Sequence, residues 1–334
     1  MIPSRLKVAL KVAIKARRPV MIWGSPGVGK SAVVRQVADE LGLPCQDERV
    51  SDRDPVDFRG LPHIVDGVTQ WTLPGFLPRD GQGVLFLDEI SAAPPSVQAV
   101  VYQLILDRRL GDYTLPDGWV ILAAGNLDSD RAVVHRMSTA LSNRFVHLTF
   151  DVDLCDWVIW ALSKGIRPEI IAFLRFRPEL LHSFDPAKGE KSFPTPRTWE
   201  FVSDLMKADG QDCEAELIQG AVGAGAGVEF LGFLRTFRDL PEIDSIFKDP
   251  KGTIIPKGPG ALYAVCSALA RRVTTHATFG AALEYLKRIR LASGNEAPEY
   301  QVLFVKDIIR LRPELRSCAA FVSWAVANGW LVKG

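Results

Sequence analysis

Cysteine is scarce in this chain, and so is any pattern in it. Cys45, Cys155, Cys213, Cys266 and Cys318 lie more than fifty positions apart. No C-x-x-C pair exists, which argues against a zinc ribbon or a disulfide framework and suits a reducing, cytoplasmic compartment. His63, His135, His147, His182 and His276 likewise lack metal-ligand spacing. Charge of one sign is missing too. Lysine and arginine total 40 against 39 acids, for a formal net charge of +1. Bulk electrostatics therefore gives no reason to expect a nucleic-acid or membrane partner. No apolar run approaches the roughly eighteen residues of a membrane span. Near the N-terminus, Lys7, Lys11 and Lys15 recur every fourth position. They prevent a signal-peptide core and describe an amphipathic helix with a basic stripe. Internal repeats and low-complexity tails are absent.

What remains is an ordinary globular composition, 47% hydrophobic and 24% charged, in 334 residues, enough for two cores. From about 19 to 150, short apolar runs alternate with helical stretches, the pattern of a parallel sheet covered by helices. Strands are expected at 20–23, 84–87, 120–124 and 145–150. Between the first two lies a long irregular segment, 46–83, with a hairpin expected at 64–69 around the tight turn Asp66-Gly67. After Asp151 helical periodicity takes over, with helices expected at 154–163, 168–174, 197–207, 215–237, 261–273, 279–290, 300–311 and 319–327. The reading is an α/β domain over 1–151 and an all-helical domain over 152–334. The glycine-rich stretch 220–227 follows no strand, so it reads as close helix packing rather than a second phosphate loop.

One motif dominates. Gly24-Ser25-Pro26-Gly27-Val28-Gly29-Lys30-Ser31, followed by Ala32, completes G-x-x-x-x-G-K-S between an apolar strand and a helix. Glycines at 24, 27 and 29 let successive N–H groups converge on phosphate oxygens, and the helix adds its positive end. Lys30 reaches the β- and γ-phosphates, and the Ser31 hydroxyl holds Mg²⁺. The chain is thus expected to bind ATP with Mg²⁺.

The run 83–90 is an apolar strand ending in Asp88 and Glu89. A parallel sheet gathers ligands at this edge. Asp88 orients the Mg²⁺ shell, and Glu89 polarises the attacking water. A second buried strand, 119–125, ends in Asn126, a neutral amide able to reach the γ-phosphate or that water. Arg144 precedes the last strand, and Arg197 opens a helix of the second domain. Guanidinium groups stabilise the charge that phosphoryl transfer spreads over equatorial oxygens.

This ordered set, together with the stretches 57–62 and 97–106, closely resembles the AAA+ ATPases, and within them the MoxR branch related to the dynein-like and helix-2-insert groups. The resemblance covers nearly the whole chain. It implies a P-loop AAA+ core with a C-terminal helical lid, in which 24–31 is the Walker A loop and Asp88 and Glu89 the Walker B pair. It further implies Asn126 as sensor 1, Arg144 as arginine finger and Arg197 as sensor 2. Arg131 and Arg136 are open alternatives for the finger. The helix-2 insert would fall within about 46–80, and a hairpin within 101–118. The family builds rings, usually of six, so a homo-oligomer is implied, and so is a protein partner, in some relatives one with a von Willebrand factor A domain.

Three functions compete. The first is a ring-forming ATPase that remodels a protein partner. The second is a nucleic-acid motor or restriction-type NTPase subunit. Relatives of that kind that prefer GTP carry Asn-x-x-Asp, whereas Ser129 stands at the corresponding offset after Asn126. The third, a small-molecule kinase, leaves Asn126, Arg144 and the helical domain unexplained.

Overall fold

The computed structural model describes residues 1–130, 137, 139–208, 211–292 and 299–328. The chain divides into two compact units, Met1–Asp153 with Asp185–Gly189, and Leu154–Phe184 with Glu190–Gly334.

The first unit is built on strands β1 (Val20–Trp23), β2 (Cys45–Arg49), β3 (Leu61–Val65), β4 (Val68–Thr72), β5 (Gln82–Asp88), β6 (Arg109–Leu110), β7 (Tyr113–Thr114), β8 (Gly118–Gly125) and β9 (Val146–Thr149). Five of them form one sheet in the order β2-β5-β8-β1-β9, with every pair parallel. The near-continuous apolar runs of β1, β5 and β8 follow from burial on both faces. Alternate residues go opposite ways. Val20, Ile22, Val84, Phe86, Val120 and Leu122 pack with Leu6, Leu10 and Val34, from helices α1 (Pro3–Lys15) and α2 (Lys30–Glu40). Met21, Leu85, Leu87, Ile121 and Ala123 pack instead with Phe58, Val97, Val101 and Leu104, from α3 (Pro55–Arg59) and α4 (Pro95–Asp107). Two of the three lysines in the basic stripe of α1 meet one acid, since Lys7 and Lys11 lie 3.1 and 2.6 Å from Glu40.

Two expectations change here. The stretch 46–83 is not irregular, because 45–49 is a sheet strand. The hairpin expected within 101–118 is only β6 and β7, since α4 runs on to Asp107. The β3–β4 hairpin does turn at Asp66 and Gly67, whose φ values of +51° and +78° match a primed turn. Its strands are exposed throughout, with Leu61, Ile64 and Val68 at the surface. Among the described residues, no helix is long and apolar enough to cross a membrane.

The second unit is helical: α6 (Leu154–Lys164), after the short α5 (Thr139–Ser142) of the first unit, then α7 (Pro168–Phe176), α8 (Pro196–Lys207), α9 (Glu214–Val222), α10 (Ala224–Arg238), α11 (Ile243–Lys248), α12 (Pro259–Arg272), α13 (His276–Ala292), α14 (Glu299–Leu311) and α15 (Ala319–Asn328). The single helix expected over 215–237 is broken at Gly223, whose φ of +84° leaves the helical region. A Cβ on Gly227 would stand 2.7 Å from the side chain of Gln219, so this glycine lets α9 and α10 approach. Phe173, Trp199, Phe230 and Phe233 make an aromatic core with ring centroids 5.1–5.5 Å apart.

Among the described residues of this unit, one ion pair is buried on both sides. Arg175 of α7 donates twice to Asp307 of α14, each bond 2.7 Å, and the two side chains are 7% and 2% exposed. Removing one partner strands a charge, whereas replacing both does not. Asp307→Ala is therefore expected to cost about 3–5 kcal/mol in urea denaturation, with most of that recovered in the Arg175→Met, Asp307→Leu double variant. A loss below about 1 kcal/mol in the single variant would contradict this reading.

Candidate functional site

β1 ends at Trp23, and the chain leaves the C-terminal edge of the sheet through Gly24, whose N–H donates to Gly125 O at the end of β8 (3.3 Å). Gly27 and Gly29 adopt φ of +76° and +102°, conformations that glycine reaches without steric cost. Val28 between them is buried and anchors the loop to the core, so only its backbone faces outward. Gly29 caps α2 and, being glycine, places no capping side chain over the start of the helix. Loop and helix start therefore form a cradle for an anion.

The lysine turns back into this cradle. Lys30 Nζ donates to Gly24 O (2.5 Å), Ser25 O (3.1 Å) and Asn126 Oδ1 (2.9 Å). Ser31 Oγ donates to Asp88 Oδ2 at 2.6 Å. Parallel pairing explains the convergence: β1 pairs β8 with Trp23 opposite Gly125, and β8 pairs β5 with Ala123 opposite Leu87. Three strands thus end level, and Lys30, Asp88 and Asn126 emerge together.

Glu89 is held in an unusual way. Its φ is +57°, a left-handed conformation that costs a non-glycine residue about 1–2 kcal/mol. Its N–H donates to Asp88 Oδ1 (2.9 Å), and the next N–H, from Ile90, donates to Ala124 O (3.0 Å). The carboxylate accepts from Ser51 Oγ at 2.8 Å and lies 3.6 Å from Arg49 Nε. Asn126 is oriented as well, because its N–H donates to Ser91 Oγ (3.1 Å). Asp130, buried, accepts from Ser25 Oγ (3.2 Å) and from the Leu127 N–H (3.3 Å), tying the phosphate loop to the segment after β8.

Ser31 and Asp88 offer a hydroxyl and a carboxylate oxygen. These hard ligands suit Mg²⁺ when phosphates and water fill its remaining positions. Among the described residues, no cluster of three or more His, Cys, Asp and Glu side chains could hold a metal by itself. The residues fit a magnesium–triphosphate complex better than an all-protein metal cage. Burial, aided by the Asp47 charge, pushes the thiol of Cys45, at the start of β2, up to about 11.

The structure brings Lys30, Ser31, Asp88, Glu89 and Asn126 to one sheet edge. Arg144 is elsewhere. It is an exposed turn residue before β9, near the Val146 N–H that donates to Pro19 O, whereas the Phe150 N–H at the far end donates to Trp23 O. A four-residue strand separates those ends by roughly 13 Å. Arg197 lies in the helical unit, exposed on the first turn of α8. There Thr195 and Thr198 form a reciprocal cap, with the Thr198 N–H donating to Thr195 Oγ1 (3.1 Å) and the Thr195 N–H to Thr198 Oγ1 (2.8 Å). The Pro-Thr-Pro-Arg-Thr-Trp motif is thereby largely a helix start, and Arg197 is its one exposed cation. Arg131 and Arg136 lie outside the described residues. Arg49, Ser51, Ser91 and Asp130 belong to the site but carry no motif of their own.

Comparison with known proteins agrees with this geometry. Residues 19–145 match the family model of the AAA domain (dynein-related subfamily). The chain is 25% identical over 186 residues to midasin of Giardia intestinalis, across 52% of this chain and 4% of midasin. It is 32% identical over 120 residues to the Holliday junction branch migration complex subunit RuvB of Prochlorococcus marinus (strain MIT 9313), across 34% of this chain and 30% of RuvB. It is 27% identical over 144 residues to the protein MoxR of Paracoccus denitrificans, across 41% of this chain and 42% of MoxR. The chain spans less than half the length of each of these relatives. Residues 19–145 thus match an AAA domain of the dynein-related subfamily, and this part of the chain is similar to the protein MoxR.

Proposed function

We propose that the chain hydrolyses ATP and couples that reaction to remodelling a protein partner from within a ring of identical subunits. The observation that carries the hydrolytic part is the convergence of Lys30, Ser31, Asp88, Glu89 and Asn126 at the C-terminal edge of the sheet. In this reading Lys30 exchanges its carbonyl partners for β- and γ-phosphate oxygens, and Gly24 to Ala32 wrap the phosphates with backbone N–H groups. Mg²⁺, held by Ser31 and Asp88, would neutralise charge building on those phosphates. Glu89 accepts a proton from the attacking water as its carboxylate leaves Ser51. Asn126 aligns water and γ-phosphate from a backbone fixed by Ser91. Arg197, a cation on the first turn of a helix where the dipole disfavours it, suits an anionic partner such as the triphosphate.

Arg144 sits too far from its own cradle to serve it, which supports action on a neighbouring subunit. The exposed β3–β4 hairpin, with Leu61, Ile64 and Val68 at the surface, supplies an apolar contact element for a protein partner. The MoxR likeness supports a partner carrying a von Willebrand factor A domain. The RuvB likeness gives the second reading, a nucleic-acid motor; a net charge of +1 offers little phosphate-binding electrostatics for it. Stimulation of turnover by duplex DNA would move the assignment to that reading.

Lys30→Ala should weaken ATP binding, whereas Glu89→Gln should retain affinity and lose about 10²-fold or more in turnover. Paired equilibrium binding and steady-state assays separate the two, and normal turnover in Glu89→Gln refutes its role. Mixing Arg144→Ala with Lys30→Ala subunits should restore part of the activity, because some interfaces then contain one intact arginine and one intact cradle. Activity that never rises above that of either variant alone rules out trans catalysis. Gly125→Ala would place a Cβ 2.8 Å from Ser91 Oγ and 2.6 Å from Met21. It should lower kcat roughly tenfold to a hundredfold by displacing Asn126, with a smaller effect on ATP affinity, and an unchanged kcat would contradict the Ser91–Asn126 support.

A further inference from the structure

The helical unit contains a cavity of about 310 Å³ that none of the chemistry above uses. It opens between the end of α6, the start of α7, the second half of α12 and the end of α14. Leu162, Ile166, Pro168, Ile171 and Leu311 contribute aliphatic side chains to the lining, and Ser267, Arg271 and Arg312 contribute a hydroxyl and two guanidinium groups.

Ser267 and Arg271 are four residues apart on α12, and so share a face of that helix. Ser267 is 5% exposed, and its hydroxyl has no hydrogen-bond partner among the described residues. Helical serines ordinarily bond back to the carbonyl one turn earlier, and a buried hydroxyl that bonds to nothing calls for a reason. Arg271 makes one long bond, Nη1 to Ile166 O at 3.4 Å. Among the described residues, neither Arg271 nor Arg312 forms an ion pair with a carboxylate. Asp307 also borders the space, but both of its oxygens are taken by Arg175 at 2.7 Å, so its charge is matched before the cavity is reached. Two guanidinium groups and one orphan hydroxyl therefore surround a pocket with a hydrocarbon wall.

We infer that this cavity binds an aliphatic carboxylate, with its head group against Arg271, Arg312 and Ser267 and its hydrocarbon body against Ile166, Ile171 and Leu311. Guanidinium groups recognise a planar carboxylate in bidentate fashion, and the serine completes its donors. The volume lies at the small end for ligand pockets, which suits one terminal side chain or a short acid and excludes a nucleotide. Two sources share this chemistry: the C-terminal residue of a polypeptide and a free short-chain fatty acid.

Calorimetry on the full chain with acetyl-Ala-Leu, its C-terminal amide, hexanoate and inorganic phosphate tests the assignment. At least one carboxylate should bind saturably, with the amide and phosphate each about tenfold weaker or more. Tighter binding of the peptide identifies a polypeptide terminus as the source, and tighter binding of hexanoate a free acid. The Arg271→Gln, Arg312→Gln double variant should lose at least about tenfold in affinity, and Ser267→Ala a few-fold without a fall in melting temperature. ATP turnover should be unchanged in both. The inference is overturned if neither carboxylate binds saturably up to about 10 mM, an affinity below any useful recognition. It is equally overturned if amide or phosphate matches the carboxylates, or if the arginine and serine variants bind as the unaltered chain does.

Discussion

Parallel pairing of β1 with β8, and of β8 with β5, is the constraint on which the site depends. Because the three strands end level, a lysine following β1, a carboxylate closing β5 and an amide following β8 meet without any long loop to carry them. Strands β1, β5 and β8 are buried on both faces, so their register cannot slip without turning apolar side chains to the wrong layer. Core packing thereby sets catalytic geometry. The 2.6 Å contact between Ser31 and Asp88 is a consequence of strand register as much as of the two residues themselves.

The same edge stores strain. Glu89 is held at positive φ by hydrogen bonds on either side, and its carboxylate rests on Ser51 and near Arg49 from the end of β2. Arg49 stands directly opposite Asp88 in that register. A fourth strand end therefore reaches the site and touches Glu89. Lys30 is satisfied by its own loop in a similar way. In the proposed reaction both side chains would exchange these hydrogen bonds for phosphate and water.

Much of this was legible in the chain itself. The phosphate loop reads directly, because its glycines answer a backbone requirement that no other residue meets. Strands β1, β5 and β8 read as apolar runs because both of their faces are covered. β2 did not, since Cys45-Gln46-Asp47-Glu48-Arg49 is a polar edge strand whose place comes from pairing with β5 rather than from its own hydrophobicity. Ser51 and Arg49 were lost with it. Ser91 and Asp130 were invisible for a different reason, as their roles arise from hydrogen bonds across the fold and not from spacing. The helix break at Gly223 was masked by small residues that suit helix packing and helix ends equally well. Arg144 and Arg197 stood out by their order behind the other motifs, which says nothing about the distance either must span.

The central claim is that the cradle from Gly24 to Ala32, backed by Asp88, captures a magnesium triphosphate. Calorimetric titration of the purified chain with a non-hydrolysable ATP analogue, with and without Mg²⁺, addresses it most directly. The account predicts saturable, one-to-one binding that tightens when Mg²⁺ is present. No heat of binding for the analogue under either condition, nor for its guanine counterpart, would contradict it.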